Sequence, residues 1–209
     1  MQIADTFAHV YWIGGSPCAG KSTVAQALAD RYNLHYYPCD AWFPDHQRRA
    51  SLIHQPTLQR LAALSSDEIW LPPVVEQVAR VQAIYGEEFA MILDDLRALP
   101  TDRPILAEGA ALMPSLVLPY LAQRQQAIWI TPTPGFQRTH YAQRPWIYDV
   151  LRACTDATQA FQNWMARDEA YAALINDQAT AAGLRLLQVD GQQTSDALTV
   201  LVAAWFALR

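Results

Sequence analysis

The 209-residue sequence predicts an α/β domain: a five-stranded parallel sheet with helices on both faces. Three observations carry this. Short apolar runs alternate with longer segments of helical spacing along the whole chain. The first run, Val10-Tyr11-Trp12-Ile13, closes on Gly14-Gly15 and leads at once into an amphipathic segment. No repeat, low-complexity tract or linker divides the sequence, and its length suits one domain, 1–209, with a core of its own. Strands joined through helices imply right-handed crossovers, and ligands of such sheets bind at the carboxyl ends of the strands.

The elements follow in order. Val10 to Ile13 reads as a buried strand. Residues 20–32 place Val24, Ala25, Leu28 and Ala29 on one helical face. Leu34 to Cys39 reads as the second strand, broken near its end by Pro38. From Ala41 to Pro100 the pattern is helical, interrupted by Pro44, Pro56 and Pro72-Pro73, and the longest helix is expected from about Val74 to Leu99. Pro104 to Ala107 gives the third strand, closing on Glu108-Gly109, and Ala127 to Thr131 the fourth. Pro132-Thr133-Pro134-Gly135 then breaks the chain. Residues 136–152 mix arginine, glutamine and aromatics without a clear period. Residues 156–182 read as a helix with Ala157, Phe161, Trp164, Met165, Ala172, Ile175 and Ala179 on one stripe, and Gly183 suits its C′ position. Leu184 to Val189 is the fifth strand. A closing helix carries Leu198, Leu201, Val202, Trp205 and Phe206.

Composition narrows the function. Hydrophobic residues make up 52% and charged residues 17%, a balance that argues against disorder. A net charge of −5 without an extended lysine or arginine run argues against nucleic acid held on a basic face. There is no secretory leader pattern at the N-terminus and no apolar run of membrane-spanning length. Cys18, Cys39 and Cys154 show neither a CxxC nor a metal spacing, so reduced thiols in a cytoplasmic protein are expected. His46 and His54 stand eight apart without a third ligand and read as ordinary histidines.

One motif stands out. Gly15-Ser16-Pro17-Cys18-Ala19-Gly20-Lys21-Ser22 matches G-x-x-x-x-G-K-[ST] in full, between an apolar strand and an amphipathic helix. Glycines let the backbone curl so that successive N–H groups point at phosphate oxygens, and the helix N-terminus adds its positive dipole end. Lys21 is placed to reach the β- and γ-phosphates, the Ser22 hydroxyl to ligate Mg²⁺, and Thr23 to lie close to a phosphate. Cys18, beside a helix N-terminus, is expected to carry a lowered thiol pKa or to serve only through its N–H.

The fragment Gly14 to Thr23 resembles the loop of the small-molecule and nucleoside kinases of the P-loop superfamily, the adenylate-kinase-like and uridine-kinase-like group. Asp40 at the end of the second strand, Ala107-Glu108-Gly109 after the third and Val189-Asp190-Gly191 after the fifth extend the likeness. The resemblance implies a three-layer P-loop NTPase fold, ATP and Mg²⁺, and phosphoryl transfer to a hydroxyl or phosphate of a small molecule. It makes 41–100 a helical acceptor-side segment and 134–153 a lid-like segment. The sequence departs from the group in carrying Glu108 where the Walker B strand usually ends in aspartate, and 41–100 matches no known acceptor signature. ATP is favoured over GTP because N-K-x-D is missing.

The candidate catalytic residues are Lys21, Asp40, Glu108, Arg144 and Arg138. Asp40 is the first choice for a base, against the reading that it N-caps the next helix. Glu108 is a candidate for a Mg²⁺-bound water or for the acceptor, against a structural partner for an arginine. Arg144, then Arg138, are the lid arginines the resemblance brings onto the phosphates, against solvated or paired surface arginines, and Arg167 is a further candidate. Arg48, Arg49 and Arg60 would suit an anionic acceptor but also an ordinary helix surface. Two other functions stay open: an ATP-binding regulatory module without an acceptor, and a slow nucleoside triphosphatase.

Overall fold

The computed structural model describes residues 6–209. In chain order the elements are β1 (Val10–Gly15), α1 (Lys21–Tyr32), β2 (His35–Pro38), α2 (Cys39–Arg49), α3 (Pro56–Leu61), α4 (Ser66–Trp70), α5 (Val74–Ala98), β3 (Ile105–Glu108), α6 (Pro114–Val117), β4 (Ala127–Pro132), α7 (Pro134–Ala142), α8 (Pro145–Leu151), α9 (Ala157–Ala181), β5 (Leu186–Val189) and α10 (Ser195–Trp205). The five strands form one parallel sheet in the order β2-β3-β1-β4-β5. The strand that carries the glycine motif thus sits at the centre.

Alternation along the strands builds three layers. Val10, Trp12, Ile105, Ala107, Ala127 and Trp129 face one side, where Phe89, Ile92 and Leu96 of α5 and Tyr171, Ile175 and Ala179 of α9 cover them. Ile13, Leu106, Ile128 and Ile130 face the other, under Val24, Ala25 and Leu28 of α1 and Leu198, Val202 and Phe206 of α10. Both cores are fully buried at the strands. Glycine is required in β1: a Cβ on Gly14 would stand 2.3 Å from the Leu112 carbonyl oxygen, and one on Gly15 1.9 Å from that of Ile130. Gly183 takes a left-handed φ of 61° and closes α9, with the Leu184 N–H bonded to the Ala179 carbonyl.

Two smaller clusters lie outside the sheet core. Leu58 of α3 packs with Ile84 and Met91 of α5. Tyr141, Ile147 and Leu151 of α7 and α8 pack on Ala160, Trp164 and Met165 of α9. No helix among the described residues is long and apolar enough to cross a membrane.

Several expectations need correction. Pro44 lies inside α2 instead of interrupting it, and Asp40 stands in the first turn of that helix, whose N-cap position is Pro38. Residues 136–152 form two helices of 9 and 7 residues, each with proline at its start, too short for a period to emerge. Ala157 is exposed and Ala160 replaces it on the buried face of α9, together with Asn163 and Asp168. Leu201 is exposed on α10.

Candidate active site

The loop between β1 and α1 curls as its sequence predicts. Gly15, Cys18 and Gly20 all take positive φ, at 130°, 67° and 75°. Ser16 and Ala19 are buried, Pro17 and Cys18 half-buried, and Gly20, Ser22 and Thr23 exposed at the helix start. Lys21 is buried, with its ammonium donating to the Ser16 carbonyl at 2.9 Å. A Cβ on Gly20 would meet nothing within 4 Å, so its left-handed φ, and not crowding, is what favours glycine there. The buried Ser16 hydroxyl has no hydrogen-bond partner among the described residues.

Parallel pairing brings Glu108 to this loop. Ile13 of β1 is in register with Glu108 of β3, which ends one strand over from the loop. The Glu108 Oε1 stands 3.9 Å from the Lys21 ammonium and accepts no hydrogen bond, while Oε2 accepts from the Tyr36 hydroxyl at 3.1 Å. Burial pushes the Glu108 pKa up and the neighbouring Asp40 charge adds to this, against the opposing pull of Lys21, Ser22 and Tyr36. The Ser22 hydroxyl and the Glu108 carboxylate therefore sit together as hard oxygen donors beside the loop, the chemistry that suits Mg²⁺ with phosphate and water completing its shell.

Gly109 explains how Asp40 arrives. A Cβ there would stand 2.6 Å from the Cβ of Cys39, so only glycine lets α2 start against the end of β3. Asp40 is exposed and lines a cavity of about 1050 Å³ that runs from Pro17 of the phosphate loop across the acceptor-side helices. Phe43, Trp70, Ile84, Tyr85, Glu88 and Arg80 wall it from residues 41–100, Trp146 and Val150 from α8, and Trp164 and Arg167 from α9. Asp40 forms no ion pair among the described residues.

The predicted arginines separate. Arg144, at the N-cap of α8, lies 5.2 Å over the Tyr141 ring. The cluster that holds Tyr141 also packs against Cys18, which places Arg144 on the loop's side of α7 and α8. Arg138 points elsewhere, to Glu169 at 2.5 Å and Gln162 at 3.4 Å on exposed α9 surface. Arg48 and Arg49 pair with Asp45, and Arg49 also with Asp95. Cys18 differs from expectation: burial pushes its thiol pKa up, and Arg144 and Lys21 only partly offset this. A half-buried thiol loses more from desolvation than a helix N-terminus returns.

Other site residues escaped the sequence reading. Asp168 is buried and accepts from Tyr141 at 2.9 Å, from the Trp164 indole at 3.1 Å and from both Nε and Nη2 of Arg167 at 2.8 and 2.7 Å. Glu88 is buried against His46, whose Nδ1 stands 2.9 Å from it and whose Nε2 stands 2.9 Å from Asp95. A signal existed for both acids. Each falls on the apolar stripe of its helix, Glu88 one turn after Ile84 and Asp168 one turn after Trp164, where a charged residue is out of place unless it is paired. Arg80 had no such signal.

The loop between β5 and α10 packs on α7: Gly191, at φ 92°, lies against the Phe136 ring, and the Thr133 N–H donates to the Val189 carbonyl.

No family model matches the chain, and no curated protein matches it. Solved structures do. The chain is similar to TT1252 from Thermus thermophilus at 14% identity, over 96% of this chain and 97% of that one, with a TM-score of 0.54. A shikimate kinase from Aquifex aeolicus matches at 15% identity over 93% and 94%, with a TM-score of 0.40. A shikimate kinase from Acinetobacter baumannii, solved with shikimate, matches at 14% over 98% and 97%, with a TM-score of 0.43. At such identities a likeness speaks to fold. With β1 central, its glycine loop opening α1, and the strand order β2-β3-β1-β4-β5, the chain has the three-layer P-loop fold its sequence predicts, and TT1252 is similar to it in fold.

Proposed function

We propose that the protein transfers the γ-phosphoryl group of ATP to a hydroxyl of a small molecule held in the 1050 Å³ cavity. The observation that carries this is continuity: one cavity has Pro17 of the phosphate loop and the unpaired carboxylate of Asp40 in the same wall. A regulatory module without an acceptor has no use for a space of this size, which is ample for a metabolite.

The residues divide the work. Backbone N–H groups between Gly15 and Ser22, Pro17 excepted, and the α1 N-terminus cradle the phosphates, and Lys21 neutralises the β- and γ-oxygens. Ser22 and Glu108 would hold Mg²⁺, which when bound would spread the charge of the phosphate oxygens. Asp40 orients the acceptor hydroxyl and takes its proton as the oxygen bonds to phosphorus and ADP departs. Arg144 lies beside the loop to meet charge on the transferring group, and α7 and α8 exclude water. Arg138, tied to Glu169, contributes by holding α7 to α9.

The test is ADP release from Mg·ATP with a panel of nucleosides, nucleotides, sugars and aminoglycoside-like alcohols, with Lys21→Ala as blank. The expected result is one acceptor class that stimulates the wild type alone, with the variant down by about 10²–10³-fold, the usual cost of one lost electrostatic contact to the transferring group. Stimulation that survives in Lys21→Ala would refute the assignment, and equal turnover with every acceptor would favour a simple triphosphatase.

A further inference from the structure

The cavity wall carries four charged side chains, and their partners differ. Glu88 is matched by His46, and Arg167 by Asp168. Asp40 is committed to the acceptor hydroxyl in the reading above. Arg80 remains. Its guanidinium donates to two backbone carbonyls at the end of α4, those of Glu68 at 2.9 Å and Ile69, and forms no ion pair among the described residues. Glu76, one turn earlier on α5, is exposed and outside ion-pair distance.

Holding α4 does not require a charge there. The Trp70 carbonyl already accepts from Gln77 at 2.9 Å and Asn163 at 3.0 Å, so neutral amides do the same work next door. A guanidinium has five N–H donors, and two carbonyls leave part of the fork unspent. The second cation is close by. Arg167 lies 4.9 Å over the Trp70 ring and 5.6 Å over the Trp164 ring, two indoles that stack at 4.1 Å. Burial first, and then the charge of Arg167, press the Arg80 pKa down, and the charge of Glu76 offsets them only in part. Arg80 and Arg167 thus line the cavity with one ion-paired carboxylate, that of Asp168, in a wall that Asp40 and Glu88 also line, and the N–H donors of Arg80 left unspent can be filled by an anionic group.

We infer that Arg80 and Arg167 form an anion subsite in the acceptor cavity, taking a carboxylate or phosphate group of a ligand whose planar or apolar body lies along Trp70 and Trp164. That this ligand is the phosphoryl acceptor rests on the function proposed above; that the site binds anions does not. The acceptor then carries two features at once, a hydroxyl for Asp40 and an anion for Arg80. Arginine suits the task because its planar fork matches paired oxygens.

The experiment uses the tryptophans in the wall. Fluorescence of the full chain is titrated with benzoate, phenyl phosphate and benzyl alcohol, which share a ring and differ in charge. Lys21→Ala is run alongside, so that phosphate captured by the nucleotide loop is separated from phosphate captured in the cavity. The expected result is saturable binding of one or both anions in the wild type and in Lys21→Ala, with benzyl alcohol at least 10-fold weaker. Benzoate binding more tightly marks a carboxylate acceptor, and phenyl phosphate a phosphate ester. Arg80→Gln is expected to lose at least 10-fold in anion affinity with benzyl alcohol unchanged, and Arg80→Lys to recover part of the loss. Because Arg80→Gln can also loosen α4, thermal melts are compared, and Arg80→Lys serves if the first variant fails to fold. Equal binding of the neutral and anionic rings, or unchanged anion affinity in the folded Arg80 variant, would overturn the inference. Anion binding without acceptor-stimulated ADP release would leave the subsite standing and remove the kinase reading instead.

Discussion

The two halves of the site are built differently. The proposed donor half is backbone: one loop of eight residues, fixed between β1 and α1, with glycine at 15, where a Cβ would stand 1.9 Å from the Ile130 carbonyl oxygen. The acceptor half is side chain: Asp40, Arg80, Glu88, Trp146 and Arg167 come from four helices spread over more than a hundred residues. The first half needs only local geometry. The second exists only after α2, α4, α5, α8 and α9 have packed, so its specificity depends on small clusters away from the main core.

Substitution can break this contrast. The largest effect is expected at their meeting point. Asp40→Asn keeps the size of the side chain and removes the proposed base. Turnover is expected to fall about 10²–10⁴-fold, the usual span for a lost general base. ATP affinity, measured by titration of the folded variant, is expected to stay within a factor of about two. Loss of ATP binding together with turnover would mean that Asp40 belongs to the donor half.

Next comes Leu58→Ala. Leu58 is fully buried in the small cluster with Ile84 and Met91, both on the cavity helix. The expected cost is about 2–4 kcal/mol of stability by denaturant titration. In kinetics the KM for the acceptor is expected to rise more than that for ATP. A parallel rise in both would show that the halves are mechanically one.

The smallest effect is expected from the His46 pair. His46 is fully buried, and burial opposes its charge, but its hydrogen bonds to Glu88 and Asp95 outweigh this and hold its pKa above the ordinary value of about 6.5. The folded protein thus binds this proton more tightly than the unfolded chain. Its contribution to stability is full below about pH 6.5 and is lost as pH rises through the folded pKa. Denaturation midpoints measured upward from pH 6 are expected to fall in the wild type, and His46→Asn is expected to flatten that slope.

The same contrast decides what could be read from the sequence. The five strands, the long helices at 74–98 and 157–181 and the phosphate loop were legible because each is set by residues close in sequence. Asp40 and Glu108 were legible because strand ends in a parallel sheet share one edge. The lid-like segment was visible only as a composition, since helices of 9 and 7 residues end before a period can show. Arg144 ranked ahead of Arg138 there, and the packing of α7 on α9 ties Arg138 to Glu169 while Arg144 lies over the Tyr141 ring. Arg80 was hidden on α5 because nothing local marks a guanidinium whose neighbours, Arg167 and the carbonyls of α4, come from elsewhere in the chain.

Pro44 leaves a last consequence. It stands in α2 four residues after Asp40, and a proline donates no N–H, so the Asp40 carbonyl has no partner one turn on. The first turn of α2 is therefore fastened to the rest of its helix by one bond fewer than any ordinary turn. Behind it the helix is clamped to α5 through His46 and Arg49. The carboxylate of Asp40 thus stands on the less tightly bonded end of a helix whose other end is fixed.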